Sequence, residues 1–145
     1  MLNKITKTLE LPYTPAQMFA LVDRVEDYPL FLPWCLKSQV HSRSPEAVKA
    51  SLQVGKGLLR YSVTTLNRLQ PNKRIDMQLL AGPLKHLEGF WLFEASATSV
   101  QGCKISLHLN FELNPVLNKA LEPFSEKIGD RIIQAFCERA SVLYG

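Results

Sequence analysis

The stretch CKISLHLNFELNP, residues 103–115, changes its period before it ends. Cys103, Ile105, Leu107, Leu109 and Phe111 point one way, and Lys104, Ser106, His108, Asn110 and Glu112 the other. That alternation marks a strand with one covered face. Asn114-Pro115 then signals a helix start, and Leu117, Leu121, Phe124, Ile128, Ile132, Phe136, Ala140 and Leu143 recur at steps of three or four. At 1.5 Å per residue a helix over 115–144 reaches about 45 Å. Pro123 is expected to kink it or to split off its first two turns.

Upstream the period is two almost throughout. Ile5, Lys7, Leu9 and Leu11 alternate with Lys4, Thr6, Thr8 and Glu10, giving a first strand. YTPAQMF (residues 13–19) carries a helix start, with Thr14 as N-cap, Pro15 at the first helical position and Gln17 closing a capping box. Tyr13 and Met18 take the staple positions. This helix is predicted to reach Asp23, with a further turn over 25–28 stopped by Pro29. Short extended runs follow at 37–41, 48–54, 59–65, 75–79 and 87–95, before the strand from Cys103. Turns are marked by Gly55 and Gly57, by QPNKR (residues 70–74) and by AGPL (residues 81–84). The run at 87–95 is apolar on both faces in its second half, as expected where both sides are covered.

Consecutive strands with short turns predict an antiparallel meander. Seven strands at 4.8 Å spacing make a sheet roughly 30 Å wide, which one long helix can span. The expected architecture is one α+β domain of two layers over residues 1–145, a curved antiparallel sheet wrapped around a C-terminal helix, with a short helical hairpin after the first strand.

Composition narrows the function classes. A chain of 145 residues, 46% hydrophobic and 21% charged, is large enough to bury a core without metal or disulfides. Cys35, Cys103 and Cys137 form no CxxC pair and no zinc-type cluster with histidine, and read as reduced, mostly buried thiols. No apolar run approaches membrane-spanning length and the start has no signal-peptide core, so a cytoplasmic address, or one at the inner face of a membrane, is expected. Between residues 46 and 90, seven cations stand against three acids, an excess of four that equals the net charge of the chain. The cations are Lys49, Lys56, Arg60, Arg68, Lys73, Arg74 and Lys85. They suit either a solvated sheet face or contact with phosphates of RNA or lipid headgroups.

DYPLFLPWC, residues 27–35, sets Tyr28, Leu30, Phe31, Leu32 and Trp34 around Pro29 and Pro33. Two prolines forbid a regular helix and weaken any interior strand. Such an apolar run must cover something or be covered. DRVEDYPLFLPWC (residues 23–35), GPLKHLEGFWLFE (residues 82–94) and AFCERA (residues 135–140), within the element order above, resemble the coenzyme Q-binding START-like (polyketide cyclase/dehydrase) family of helix-grip folds. The match is closest to its bacterial ribosome association toxin branch and covers essentially the whole chain. One departure is Leu84, where a Phe is expected after Gly82-Pro83.

The resemblance implies a non-enzymatic protein with a hydrophobic cavity between helix and sheet, holding ubiquinone or a related polyprenyl lipid and linked to respiration. It implies, as the alternative, binding to the large ribosomal subunit and blocked subunit association. Phe31, Trp34, Trp91, Phe93, Phe111, Phe124 and Phe136 lie on predicted inward faces of four elements. As residues alone they read as core; with the resemblance they join Tyr28, Leu32, Pro33, Tyr61 and Ile128 as pocket wall and lid. Gly129, in mid-helix, fits an unfilled cavity or a close approach of helix to sheet. The candidate RNA or phosphate contacts are Lys49, Lys56, Arg68, Lys73, Arg74 and Lys85. Arg60 and Ser62 meet a quinone head only if their face turns inward, and Leu30 or Phe31 offers a peripheral membrane contact. His86 with Glu88 and His108 with Glu112 share strand faces, but no Ser-His-Asp order, nucleophile elbow or phosphate loop accompanies them, so no catalytic residue is assigned.

Overall fold

The computed structural model describes residues 3–56, 58–98, 100–113, 115 and 128–145. Its strands are β1 (Asn3–Leu11), β2 (Cys35–Arg43), β3 (Ala47–Lys56), β4 (Leu59–Gln70), β5 (Arg74–Ala81), β6 (Leu84–Ala95) and β7 (Cys103–Leu113). The helices are α1 (Pro15–Asp23), a 3-10 helix η1 (Val25–Leu30) and α2 (Ile128–Tyr144). All strands lie in one antiparallel sheet in the order β1-β7-β6-β5-β4-β3-β2. The meander therefore runs from β2 to β7, and β1 returns to pair with β7, Asn3 opposite Phe111 and Leu11 opposite Cys103.

The register fixes the two faces. Ile75 of β5, Trp91 and Phe93 of β6 and Ile105 and Leu107 of β7 point inward and are buried against Met18, Phe19 and Val22 of α1 and Ile133, Phe136 and Ala140 of α2. The alternation read in residues 103–111 thus puts its apolar set on the covered side. Gly129 is buried, and a Cβ built on it would sit 2.7 Å from Ile5 Cγ2. Of the two readings of that glycine, close approach of helix to sheet is the one found. Beside it Lys7 Nζ reaches Asp130 at 2.7 Å, which ties β1 to the first turn of α2.

The start of α1 is as its residues predict. Gln17 N donates to Thr14 Oγ1 at 3.1 Å, and Thr14 N donates to Gln17 Oε1 at 2.9 Å, with Pro15 opening the helix. Thr14→Ala is expected to lower the unfolding free energy by about 1 kcal/mol, measured by urea titration, because the Gln17 N–H at the helix end loses its Oγ1 acceptor.

Three expectations need correction. Pro29 does not stop the turn after α1: η1 continues through it to Leu30. A short 3-10 segment tolerates the missing donor because Phe31 N and Leu32 N both return to Tyr28 O, at 3.2 and 2.9 Å. The expected hairpin is therefore an α-helix followed by a 3-10 helix. The second half of β6 is not covered on both sides by layers of structure. Phe90 points outward and is flanked by side chains, with Arg74 Cζ 3.9 Å from its centroid and the His108 ring stacked at 4.5 Å. Strands β2 and β4 also run well past their predicted ends, because ladder pairing carries polar residues such as Asn67 and Arg68 along with their neighbours. Leu117, Leu121, Pro123 and Phe124, and the expected kink at that proline, lie outside the described residues.

Candidate functional site

The proline-framed segment crosses from η1 to β2 and is pinned by backbone hydrogen bonds near its far end. Cys35 N donates to Leu32 O at 3.0 Å, and Trp34 O accepts from Gly55 N of β3 at 3.0 Å. The Tyr28 hydroxyl donates to Val22 O, so the ring is held by the helix that precedes it. Burial, with Asp23 nearby, pushes the Tyr28 phenol far above its ordinary pKa. Leu32 is buried, Trp34 is half-buried and Pro33 is exposed. Tyr28 and Phe31 turn inward onto Phe136 of α2, with centroids 5.4 and 5.2 Å from its ring. Trp91 meets Phe136 from the sheet at 5.1 Å, and Arg139 Cζ lies 5.5 Å over Phe31. Beneath the segment, aromatic rings from η1, α2 and β6 thus fill the space themselves. Of the two residues offered for a membrane contact, Leu30 is 68% exposed and Phe31 packs into this cluster.

The inner face divides along the strands. Towards the α1 end Ile75, Trp91, Phe93, Ile105 and Leu107 are buried. Towards the other end Tyr61, Met77, Leu79, Leu87, Leu109 and Phe111 are only partly so. Trp91, Phe93 and Phe136 therefore belong to the packed core, and Tyr61 and Phe111 to the less covered apolar end. Ile128 opens α2, and Phe124 lies outside the described residues. Arg60 and Ser62 are exposed on the outer face, away from this apolar surface.

Two open clefts lie elsewhere. One, about 490 Å³, is bordered by Phe19, Asp23, Arg43, Pro45, Leu69 and Pro71. Arg43 is its anchor: Nη1 donates to both Asp23 carboxylate oxygens at 3.1 Å, and Nη2 donates to Asp23 O at 3.0 Å and to Glu26 at 3.3 Å. This fork ties β2 to the end of α1 and to η1. The other, about 450 Å³, lies on the outer face around Arg68, Arg74, Asp76, Glu88, Phe90 and His108.

Of the cations singled out in the sequence, the register brings Lys49, Arg68 and Arg74 to the outer face. Arg74 is engaged by Asp76 at 2.9 Å. Lys73 sits in the β4–β5 turn, whose Asn72 takes a left-handed φ of 63°. Lys85 is exposed near the start of β6, and Lys56 ends β3, so these two stand at the opposite end of the sheet from Lys73. His86 Nε2 lies 3.4 Å from Glu88, whereas His108 is stacked on Phe90. Sequence reading passed over Lys37 and Arg43. The available signal was the scarcity of acids between residues 35 and 70, where Glu46 is alone.

The three thiols are free, Cys35 and Cys103 buried and Cys137 half-buried. Burial pushes Cys103 up to about 11, and raises Cys35 and Cys137 as well. The fully buried Cys103 is expected to resist iodoacetamide at pH 8 in the folded protein. A thiol raised in the folded state contributes stability below its unfolded value, and this is lost as pH rises through about 11. The wild-type loss between pH 9 and 11 should therefore exceed that of Cys103→Ala in parallel denaturant titrations. Among the described residues no helix is long and apolar enough to cross a membrane.

Comparisons with known proteins agree with this geometry. The family described as polyketide cyclase / dehydrase and lipid transport matches residues 11–137. The ribosome association toxin RatA of Pseudomonas aeruginosa is 40% identical, over 100% of both chains. The mitochondrial coenzyme Q-binding protein COQ10 of Dictyostelium discoideum is 31% identical, over 95% of this chain and 69% of its own. The crystal structure of the Zhui aromatase/cyclase from a Streptomyces species superimposes with a TM-score of 0.80 at 16% identity, covering 97% of this chain and 94% of the other. At that identity the likeness concerns the fold.

Proposed function

Because the chain belongs to the polyketide cyclase / dehydrase and lipid transport family, whose fold serves binding proteins and enzymes alike, we propose that it acts as a non-enzymatic, ribosome-associating factor of the cytoplasm. It binds the large subunit and keeps the two subunits apart. The observation that carries this reading is the 40% identity, over the full length of both chains, to a ribosome association toxin. The surface supports it, since exposed lysines and arginines outside the packed core suit a phosphate-rich partner. Induced expression in a bacterial host should arrest growth and move ribosomes from joined particles to free subunits. Growth arrest with an unchanged ribosome profile would contradict the reading.

A second reading is favoured by one observation, the partly exposed apolar end of the inner face at Tyr61, Met77, Leu79, Leu87, Leu109 and Phe111. A polyprenyl chain, such as the tail of ubiquinone, gains roughly 0.8 kcal/mol per buried CH2 against such a wall and needs no catalytic group. Likeness to a coenzyme Q-binding protein supports it. Native mass spectrometry of protein purified from its own host should show a bound lipid; protein that is empty in repeated preparations counts against this role.

A further inference from the structure

The outer face of the sheet is not uniform. From Cys35 to Gln70 the chain carries Lys37, Arg43, Lys49, Lys56, Arg60 and Arg68 against the single acid Glu46, which lies in the β2–β3 turn. Arg43 is consumed by Asp23 and Glu26. Lys37, Lys49 and Arg68 are exposed on the outer side of β2, β3 and β4, where Lys37 lies opposite Gln53, Lys49 opposite Leu66, and Arg68 opposite Ala47. Lys37 and Lys49 meet no carboxylate among the described residues, while Arg68, which the register sets opposite Asp76 at the border with the acidic half, donates to the neutral Gln78 Oε1 at 3.2 Å. Between these cations the face carries hydroxyls and amides, with Leu66 and Ala47 among them. His41 Nε2 lies 2.7 Å from Ser51 Oγ, which lies 2.5 Å from Thr64 Oγ1, a polar row across three strands.

The other half of the same face has the opposite character. Arg74 is engaged by Asp76 and His86 stands beside Glu88, while Glu10 accepts from Ser96 and Thr98 at the β1 edge. Carboxylates there repel a polyanion at short range. Phe90, an aromatic on that half, is already flanked by Arg74 and His108 and presents no free ring face for a base.

We propose that the outer face of β2, β3 and β4 is the surface that lies on ribosomal RNA. Lys37, Lys49 and Arg68 take backbone phosphates, and the His41–Ser51–Thr64 row meets sugar and phosphate oxygens. The proposal rests on the ribosome-associating reading and says where and how contact is made. With no stacking aromatic among the described residues of this half, recognition follows backbone shape and 2′-hydroxyls rather than base sequence.

The test is pelleting of the protein with purified bacterial large subunits at 50, 100 and 200 mM KCl and fixed magnesium. Each phosphate contact contributes on the order of one unit to the slope of log affinity against log salt. The triple substitution Lys37→Gln, Lys49→Gln and Arg68→Gln should flatten that slope by about three units and weaken binding at 50 mM at least tenfold. Lys4→Gln with Lys104→Gln, on the mixed-charge half, serves as the matched control and should leave both nearly unchanged. Retained folding of every variant is checked by thermal melting, which exposed substitutions should leave within a degree or two. A triple variant that binds with the wild-type slope overturns the proposal and leaves the ribosome reading standing. Wild-type protein that fails to pellet overturns both.

Discussion

Phe136→Ala should lower the unfolding free energy by about 3–5 kcal/mol, among the largest single losses this chain can suffer. The ring is buried on α2 and is met by Tyr28 of η1, by Phe31 just after it and by Trp91 of β6, all within 5.4 Å between centroids. Removing it leaves three rings without their shared partner, and helix, sheet and proline-framed segment cannot all collapse into one gap. For a domain of this size the midpoint should fall on the order of 10 °C. Phe136→Leu keeps most of the volume and should cost far less. Urea titrations of both variants, with equal m-values, give the comparison. A loss under about 1 kcal/mol for the alanine variant would mean that the space beneath Phe31 is a cavity rather than packed rings.

Gly89→Ala is the second substitution with a large effect, although it adds a single methyl. Gly89 lies on the inner face of β6 opposite Leu109, and an added Cβ would stand 2.1 Å from His108 O and 2.8 Å from Leu109 Cδ2. A carbonyl in the β7 ladder cannot rotate away as a side chain can, so strand must part from strand. Overpacking typically costs 1–3 kcal/mol, and a backbone obstacle places this case at about 3 kcal/mol or above. Gly129→Ala provides the contrast. Its nearest obstacles are the side chains of Ile5 and Lys7, and Ala is worth up to about 1 kcal/mol more than Gly within a helix. The two effects offset, so a change within about 1 kcal/mol is expected there. Comparable losses at both positions would contradict the distinction between backbone and side-chain obstruction.

Much of the architecture was legible because the deciding signals are local. The alternation in 103–111 and the Thr14–Pro15–Gln17 start act through neighbouring residues and need no distant partner. Features that depended on such partners were not legible. Pro29 stays within η1 because Tyr28 O accepts two donors beyond it, and Phe90 is tolerated outside because residues from two other strands shelter it. The candidate pocket shows the same limit. Hydrophobic pattern placed Trp91, Phe93 and Phe136 inward, as it did Tyr61 and Phe111, but only the register and the docking of α2 separate packed rings from partly open ones. Among the cations, sequence could count charges but could not pair Arg74 with Asp76, engage Arg43 with Asp23 and Glu26, or set Lys37 beside the strand of Lys49.

Association of separated ribosomal subunits in the presence of this protein is the most direct test of its role. Equal amounts of small and large subunits are mixed at low salt with rising protein, and the products are resolved on a density gradient. The joined particle should decline in proportion to added protein, the protein should travel with the large subunit, and the effect should fade at high salt as phosphate contacts weaken. An undiminished joined peak at low salt, with the protein left at the top of the gradient, would contradict it.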